Sequence, residues 1–169
     1  FASIVNAIEE GRAVFENIRR FITYILASNV PELVPYLAYV LFGIPLPLSV
    51  IQILAVDLGT DMLPALALAG EPPHPGIMQV PPRRRGDRLL SGPVLARAYL
   101  WLGGMEAVAA MAGFLIVLYG GGWIYGTGLD GVDPLYRSAT TACLLGIVVC
   151  QVANLLLCRD PRLPFWRLG

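Results

Sequence analysis

The sequence predicts an all-α membrane protein in which four transmembrane helices follow an amphipathic cytoplasmic stalk helix. Hydrophobic residues make up 56% of the 169 residues and charged residues only 14%, whereas a soluble domain is about one quarter charged. The mean hydropathy is +0.66, so there are too few polar side chains to cover a water-exposed surface. A water-soluble globular domain is therefore excluded.

Residues 1–20 are expected to form the stalk helix. Apolar residues recur there at near-helical spacing, with glutamates and arginines between them. These apolar positions are Ile4, Val5, Ile8, Val14 and Ile18. Because the sequence becomes continuously apolar at Phe21 without a helix breaker, the stalk leads directly into the first transmembrane helix.

Residues 21–68 are predicted to form a helical hairpin. The first span covers about 21–41 and the second about 49–68, lengths that suit a hydrocarbon core of ~30 Å at ~1.5 Å per residue. The segment "FGIPLPL" between them has two prolines and is expected to be a tight turn. The two spans must therefore lie side by side and antiparallel.

The rest of the chain is predicted to be a loop, a second helix pair and a tail. Residues 69–93 form a Pro- and Arg-rich cytoplasmic loop, and 94–157 contain the second pair, with spans over about 94–119 and 140–157. A glycine-rich loop connects these two spans on the other side of the membrane. Residues 158–169 form a cytoplasmic tail.

The arginines indicate the orientation in the membrane. All twelve basic residues are arginines, and eleven of them fall in or beside the stalk, the 69–93 loop and the tail. Arg137 alone lies on the other side. The positive-inside rule then places both termini in the cytoplasm, and we expect an integral protein of a bacterial plasma membrane.

Polar residues interrupt the first two apolar runs at similar depth. One run contains "SNVPE" and the other "DLGTD", although a charge at the centre of a membrane helix costs about 2.5–3.5 kcal/mol. The candidate ligands are Ser28, Asn29, Glu32, Asp57, Thr60 and Asp61. Their carboxylate, amide and hydroxyl oxygens suit hard cations such as Na⁺, K⁺, Ca²⁺ or Mg²⁺. Pro31 disturbs the backbone bonding near Ala27, and Gly59 permits local unwinding that frees carbonyl oxygens.

The competing interpretation is that these residues only hold helices together. Serine, threonine and asparagine commonly form hydrogen bonds between membrane helices. Three carboxylates are harder to explain in this way, because no arginine or lysine lies at the same depth. Protonation of some of them is also compatible with their burial.

Three weaker candidates lie in the second helix pair. Glu106 could line an ion path or bond to a neighbouring helix, and Gln151 and Asn154, three residues apart, could add a ligand or pair between helices. Both interpretations stay open for each of them.

The segments "SNVPE" and "IPLPLSVIQILAVDLGTDMLPALALAGEPP" resemble the C-terminal membrane region of P-type cation-transporting ATPases, most of all the sodium/potassium and proton/potassium pumps. The resemblance implies that the four spans are the fifth to eighth membrane helices. It implies that Ser28, Asn29 and Glu32 are ion ligands on the fifth helix. Gln151 and Asn154 fall where the eighth helix contributes, although the sodium/potassium pumps carry Asp at the position of Asn154.

In the sixth helix, which is partly unwound in that family, the resemblance implies that Asp57, Thr60 and Asp61 are ligands. The transported cation would be Na⁺, K⁺ or Ca²⁺, and ATP and Mg²⁺ would bind only in other domains, since no phosphorylatable Asp in a D-K-T-G-T context occurs here. The expected partners are the ATPase cytoplasmic domains, the remaining membrane helices and the lipid bilayer, with no nucleic acid.

The chain opens on Phe1 like mid-protein sequence, so we expect a fragment or half of such a pump, unable to hydrolyse ATP alone. The alternative is a non-catalytic structural or regulatory four-helix membrane subunit.

Overall fold

The computed structural model describes residues 1–74, 76–81 and 89–159. Within these residues the chain is helical and has no strand. Four helices are long and apolar enough to cross a membrane, and we number them in chain order: α1 (Ala2–Phe42), α2 (Val50–Ala69), α3 (Gly92–Gly120) and α4 (Pro134–Arg159). The predicted all-α membrane fold is confirmed.

Helix α1 joins the predicted stalk and first span into one element of 41 residues. Pro31 and Pro35 lie inside it, and each removes a backbone donor without ending the helix. The helix ends at Gly43, whose φ of 62° is left-handed and whose N–H donates to the carbonyl of Tyr39 at 3.0 Å. This is the usual glycine C-cap, and it turns the chain toward α2.

Helix α2 begins with a capping box. The Ser49 hydroxyl accepts from the Gln52 backbone N–H at 3.3 Å, and the Ser49 N–H donates to the Gln52 side chain at 2.9 Å. In the middle of α2, residues Asp57–Met62 form a π-helical segment, after which α-helical geometry resumes. Residues Arg97–Leu102 form a second π-helical segment in α3.

Helices α3 and α4 pack closely through small residues. A Cβ added to Gly113 would lie 3.2 Å from the carbonyl oxygen of Ala142, and one added to Gly146 would lie 3.1 Å from Cα of Ala110. Small residues allow membrane helices to approach in this way. The apolar core beside this contact includes Phe114, which is fully buried.

The stalk end of α1 is fastened to the loop that follows α2. Arg12 donates to the carbonyls of Ile77 and Val80 at 3.0 and 2.8 Å, and Asn17 donates to that of Glu71 at 2.6 Å. The Glu71 carboxylate in turn lies 2.5 Å from the Arg159 guanidinium at the end of α4. The stalk is therefore tied to two spans through this loop.

The opposite end of the bundle is joined by tyrosines. Tyr136 donates to the carbonyl of Leu46 at 2.9 Å, and Tyr125 donates to that of Phe42. These bonds hold the α1–α2 connection against the start of α4 and the loop before it. Part of the predicted 69–93 loop, with Arg83, Arg84, Arg85 and Arg88, and most of the 158–169 tail lie outside the described residues.

Candidate cation site

Three carboxylates from two helices meet inside the bundle. Glu32 comes from α1, whereas Asp57 and Asp61 come from the π-helical segment of α2. One oxygen from each lies within 4.8 Å of one from each of the others, and all three residues are at least partly buried. Like charges this close repel one another strongly away from bulk water. A bound cation or protons would relieve that repulsion.

The local backbone differs from the expected unwinding at Gly59. The segment Asp57–Met62 stays helical and is widened into π geometry, and a Cβ on Gly59 would meet nothing within 4 Å. The helix therefore stays closed at this segment, with i→i+5 hydrogen bonds in place of the i→i+4 bonds of an α-helix. Such π segments are frequent at functional sites.

One carbonyl next to the carboxylates lacks its ordinary α-helical donor. Pro64 has no N–H to offer the carbonyl of Thr60 four residues earlier, and the buried hydroxyl of Tyr24 donates to that oxygen at 2.5 Å. The Thr60 hydroxyl itself donates to the carbonyl of Val56 at 3.0 Å. This oxygen thus accepts from Tyr24, a side chain that sequence reasoning missed.

Asp61 is held by hydrogen bonds from two other helices. The Ser28 hydroxyl of α1 donates to Oδ2 at 2.7 Å, and Nε2 of Gln151 in α4 donates to Oδ1 at 2.7 Å. Both carboxylate oxygens therefore have a donor, which fixes the orientation of the group. Gln151 is the contact that joins α4 to the three carboxylates.

A second polar pair lies between α3 and α4. Nδ2 of Asn154 donates to Oε2 of Glu106 at 2.8 Å, and Glu106 is only 1% exposed. The structure thus connects all three weaker sequence candidates by hydrogen bonds, Glu106 with Asn154 and Gln151 with Asp61.

Three acceptor oxygens in this region are buried and have no hydrogen-bond partner among the described residues. They are Oε1 of Glu32, Oε1 of Glu106 and Oε1 of Gln151. A buried acceptor without a partner costs about 1–3 kcal/mol, and more when charged. A cation or water could satisfy all three atoms, and a proton could satisfy the two carboxylates. These oxygens therefore fit an oxygen-bound cargo ion.

Asn29 is the predicted ligand that the structure leaves exposed. Its side chain is exposed and donates to the carbonyl of Ile25 on its own helix at 2.9 Å. Ser28 and Glu32 are four residues apart and share one face of α1. Asn29 is one residue further than Ser28 and so lies about 100° around the helix.

Close helix packing next to the site is a second feature that was not predicted. A Cβ added to Gly103 in α3 would lie 2.6 Å from the carbonyl oxygen of Ala27. Pro31 supplies no N–H to that carbonyl, so α3 approaches α1 where the backbone of α1 is already interrupted. Two features of the sequence could have predicted this close approach. They are the adjacent glycines Gly103 and Gly104 in α3 and the proline Pro31 in α1.

Comparison with known proteins agrees with this architecture. Residues 45–169 match the family described as cation transporting ATPase, C-terminus. The whole chain is also similar to sodium/potassium-transporting ATPase alpha subunits, with 46% identity to that of Hydra vulgaris, 36% to that of Drosophila melanogaster and 34% to the alpha-4 subunit of Rattus norvegicus. The chain spans 19% of the length of each of these relatives. Together, the four membrane helices and these similarities show that the chain belongs to the P-type cation-transporting ATPases and corresponds to their C-terminal membrane region.

Proposed function

We propose that this chain is the cation-binding transmembrane part of an ATP-driven P-type cation pump. The observation that carries the proposal is the meeting of Glu32, Asp57 and Asp61, with oxygens within 4.8 Å of one another. Carboxylates are retained at such a depth only where they have a partner or a function. The similarity to sodium/potassium-transporting ATPase alpha subunits supports a cation as that partner.

The oxygen set suits the cargo Na⁺, K⁺ or Ca²⁺. Hard cations take carboxylate, hydroxyl and carbonyl oxygens as ligands. The proposed ligands are Ser28, Asn29, Glu32, Asp57, Thr60 and Asp61. Ser28 and Thr60 already donate their hydroxyl protons, to Asp61 and Val56, and this leaves their oxygen lone pairs available to an ion.

Asn29 would contribute from the neighbouring face of α1. Its side chain is exposed in this chain, on a surface against which further membrane helices of a pump would pack. Its amide oxygen could then join the site, since Nδ2 is the atom committed to the Ile25 carbonyl.

Gln151, Asn154 and Glu106 would form an outer layer of the same site. Gln151 fixes Asp61. The buried Oε1 atoms of Gln151 and Glu106 could coordinate an ion, and Glu106 could instead carry a proton. Mutation of a group that hydrogen-bonds to a metal-binding side chain commonly lowers metal affinity by about 10–100-fold.

The long α1 helix provides a mechanical connection between the site and the stalk. Its 41 residues correspond to about 60 Å at ~1.5 Å per residue. Movement of the stalk by ATP-driven cytoplasmic domains would therefore reach Ser28 and Glu32 directly. ATP and Mg²⁺ would bind in those domains, which together with the remaining membrane helices are the proposed partners.

The proposed orientation places both termini in the cytoplasm of a bacterial plasma membrane. The support is the arginine distribution along the sequence, in which only Arg137 falls in the segment predicted to lie on the other side.

The alternative is a structural or regulatory membrane subunit without transport. The bonds from Gln151 to Asp61 and from Asn154 to Glu106 favour it, because they join helices without any ion. In that case the carboxylates would serve only packing.

Cation-stimulated ATPase activity of the full-length protein distinguishes these functions. We expect Asp57→Asn to weaken stimulation by the transported cation by 10-fold or more, since a charge-assisted contact is lost. Asp130→Asn is the control, because Asp130 is an exposed carboxylate in the loop between α3 and α4. Equal stimulation of the parent and the Asp57 variant, across Na⁺, K⁺ and Ca²⁺, would contradict the proposed site.

A further inference from the structure

A cavity of about 300 Å³ opens at the stalk end of the bundle. Its walls come from the stalk part of α1, the loop after α2, the start of α3 and the end of α4. It is separate from the three carboxylates, since none of them lines it. The proposed cation site does not include this cavity.

The cavity carries excess positive charge. Arg19, Arg20 and Arg97 line it, against the single carboxylate of Glu16. Arg20 is already paired, because its guanidinium lies 3.7 Å from Glu16 and 3.5 Å from Glu71. Arg19 and Arg97 are exposed, and within the described part of the chain neither forms a salt bridge.

Arg97 forms one side-chain hydrogen bond among the described residues and keeps further N–H donors available. One of its terminal nitrogens donates to the carbonyl of Leu157 at 3.4 Å, which fixes the side chain beside the end of α4. A guanidinium has five N–H donors in a rigid fork, so most of its donors are left for an anion. Arginine forks match phosphate oxygens in bidentate geometry.

Apolar residues beside the arginines also line the cavity and form an apolar wall. It includes Val94, Leu157 and Cys158, at the level where the apolar spans begin. A ligand suited to this cavity therefore has an anionic end for the arginines and an apolar part for this wall. Basic pockets between helices at the end of a membrane bundle are typical binding sites for anionic headgroups.

We propose that this cavity binds the phosphate of an anionic phospholipid headgroup, with Arg19 and Arg97 as donors. The glycerol and first acyl carbons of the lipid would lie against Val94 and Leu157. Free inorganic phosphate offers the same anion without the apolar part, so the test must separate the two.

The test is lipid binding to the full-length protein in detergent, measured by native mass spectrometry with phosphatidylglycerol and phosphatidylcholine. Arg19→Gln/Arg97→Gln should weaken phosphatidylglycerol binding by roughly 30-fold, the combined contribution of two arginines at an anionic surface. Arg137→Gln is the matched control, because Arg137 is an exposed arginine at the other end of α4, and it should leave binding unchanged.

Arg19→Lys/Arg97→Lys keeps both charges but loses the forks, so it should bind phosphatidylglycerol more weakly than the parent and more tightly than the double glutamine variant. This order separates loss of charge from loss of fold. Millimolar inorganic phosphate should fail to displace the lipid. Equal binding of both lipids, equal binding by the parent and the double glutamine variant, or displacement by inorganic phosphate would each overturn the proposal.

Discussion

Gln151 in α4 donates a hydrogen bond of 2.7 Å to the carboxylate of Asp61 in α2. This bond connects the second helix pair to the carboxylate cluster, which otherwise belongs to α1 and α2. Because Ser28 occupies the other oxygen of the same carboxylate, Asp61 is oriented from two sides. The position of α4 therefore influences the orientation of this carboxylate.

Replacing Gln151 tests this connection. We expect Gln151→Ala to weaken cation-stimulated ATPase activity of the full-length protein by about 5–10-fold, since a hydrogen bond to a charged group is worth about 1.5–3 kcal/mol and part of it is recovered by water. Gln79→Ala is the control, because Gln79 is an exposed glutamine in the loop after α2. Unchanged cation dependence in both variants would show that Asp61 needs no support from α4.

The buried pair of Glu106 and Asn154 can be tested by moving the carboxylate from position 106 to position 154. Asn154→Asp places two carboxylates where a bond of 2.8 Å now exists, and should destabilise the protein by about 2–4 kcal/mol. Adding Glu106→Gln restores one donor and one carboxylate, so the double variant should recover most of that stability. The measurement is thermal unfolding in detergent. A double variant no more stable than Asn154→Asp alone would refute the pairing.

Tyr24 is expected to stabilise the interrupted backbone of α2. Tyr24→Phe removes the hydroxyl that donates to the Thr60 carbonyl and leaves that oxygen without its donor, which should cost about 1–3 kcal/mol. The control is Tyr99→Phe, since Tyr99 is 43% exposed. Unfolding midpoints of the two variants should differ clearly, and equal midpoints would mean that water replaces the hydroxyl.

The close approach of α3 to α1 gives a sharper packing test. Gly103→Ala should destabilise the protein by about 1–3 kcal/mol through overpacking, because the new Cβ would lie 2.6 Å from both the Ala27 oxygen and Cγ2 of Val30. The adjacent Gly104→Ala is the matched control, since its Cβ would lie in ordinary van der Waals contact, 3.7 Å from the Tyr99 carbonyl oxygen. Similar stability of the two alanine variants would contradict the packing described for α1 and α3.

The sequence could predict the fold class because lipid imposes a simple rule. Apolar runs of about 20 residues are read as spans, and the carboxylates in "SNVPE" and "DLGTD" are conspicuous within such runs. Because a short turn makes the first two spans antiparallel neighbours, Glu32 and Asp61 were expected at similar depth in the membrane. No side-chain contact was needed for these inferences.

The remaining features depend on geometry that spacing alone does not contain. Asn29 and Glu32 are three residues apart, which permits a shared face, but the rotation of α1 leaves Asn29 exposed. Gly59 permitted unwinding, whereas the helix adopted a π segment. The bond from Tyr24 to Thr60 requires Pro64 in one helix and a tyrosine in another, and only packing brings them together.

The most direct test of the proposed site is equilibrium binding of radioactive sodium, rubidium as a substitute for potassium, and calcium to the purified full-length protein. We expect saturable binding of at least one of these cations. The Glu32→Gln/Asp57→Asn/Asp61→Asn variant should bind it about 100-fold more weakly, since three charged ligands are lost, while Asp130→Asn binds as the parent does. Equal affinity in the parent and the triple variant would show that the three carboxylates do not bind the ion.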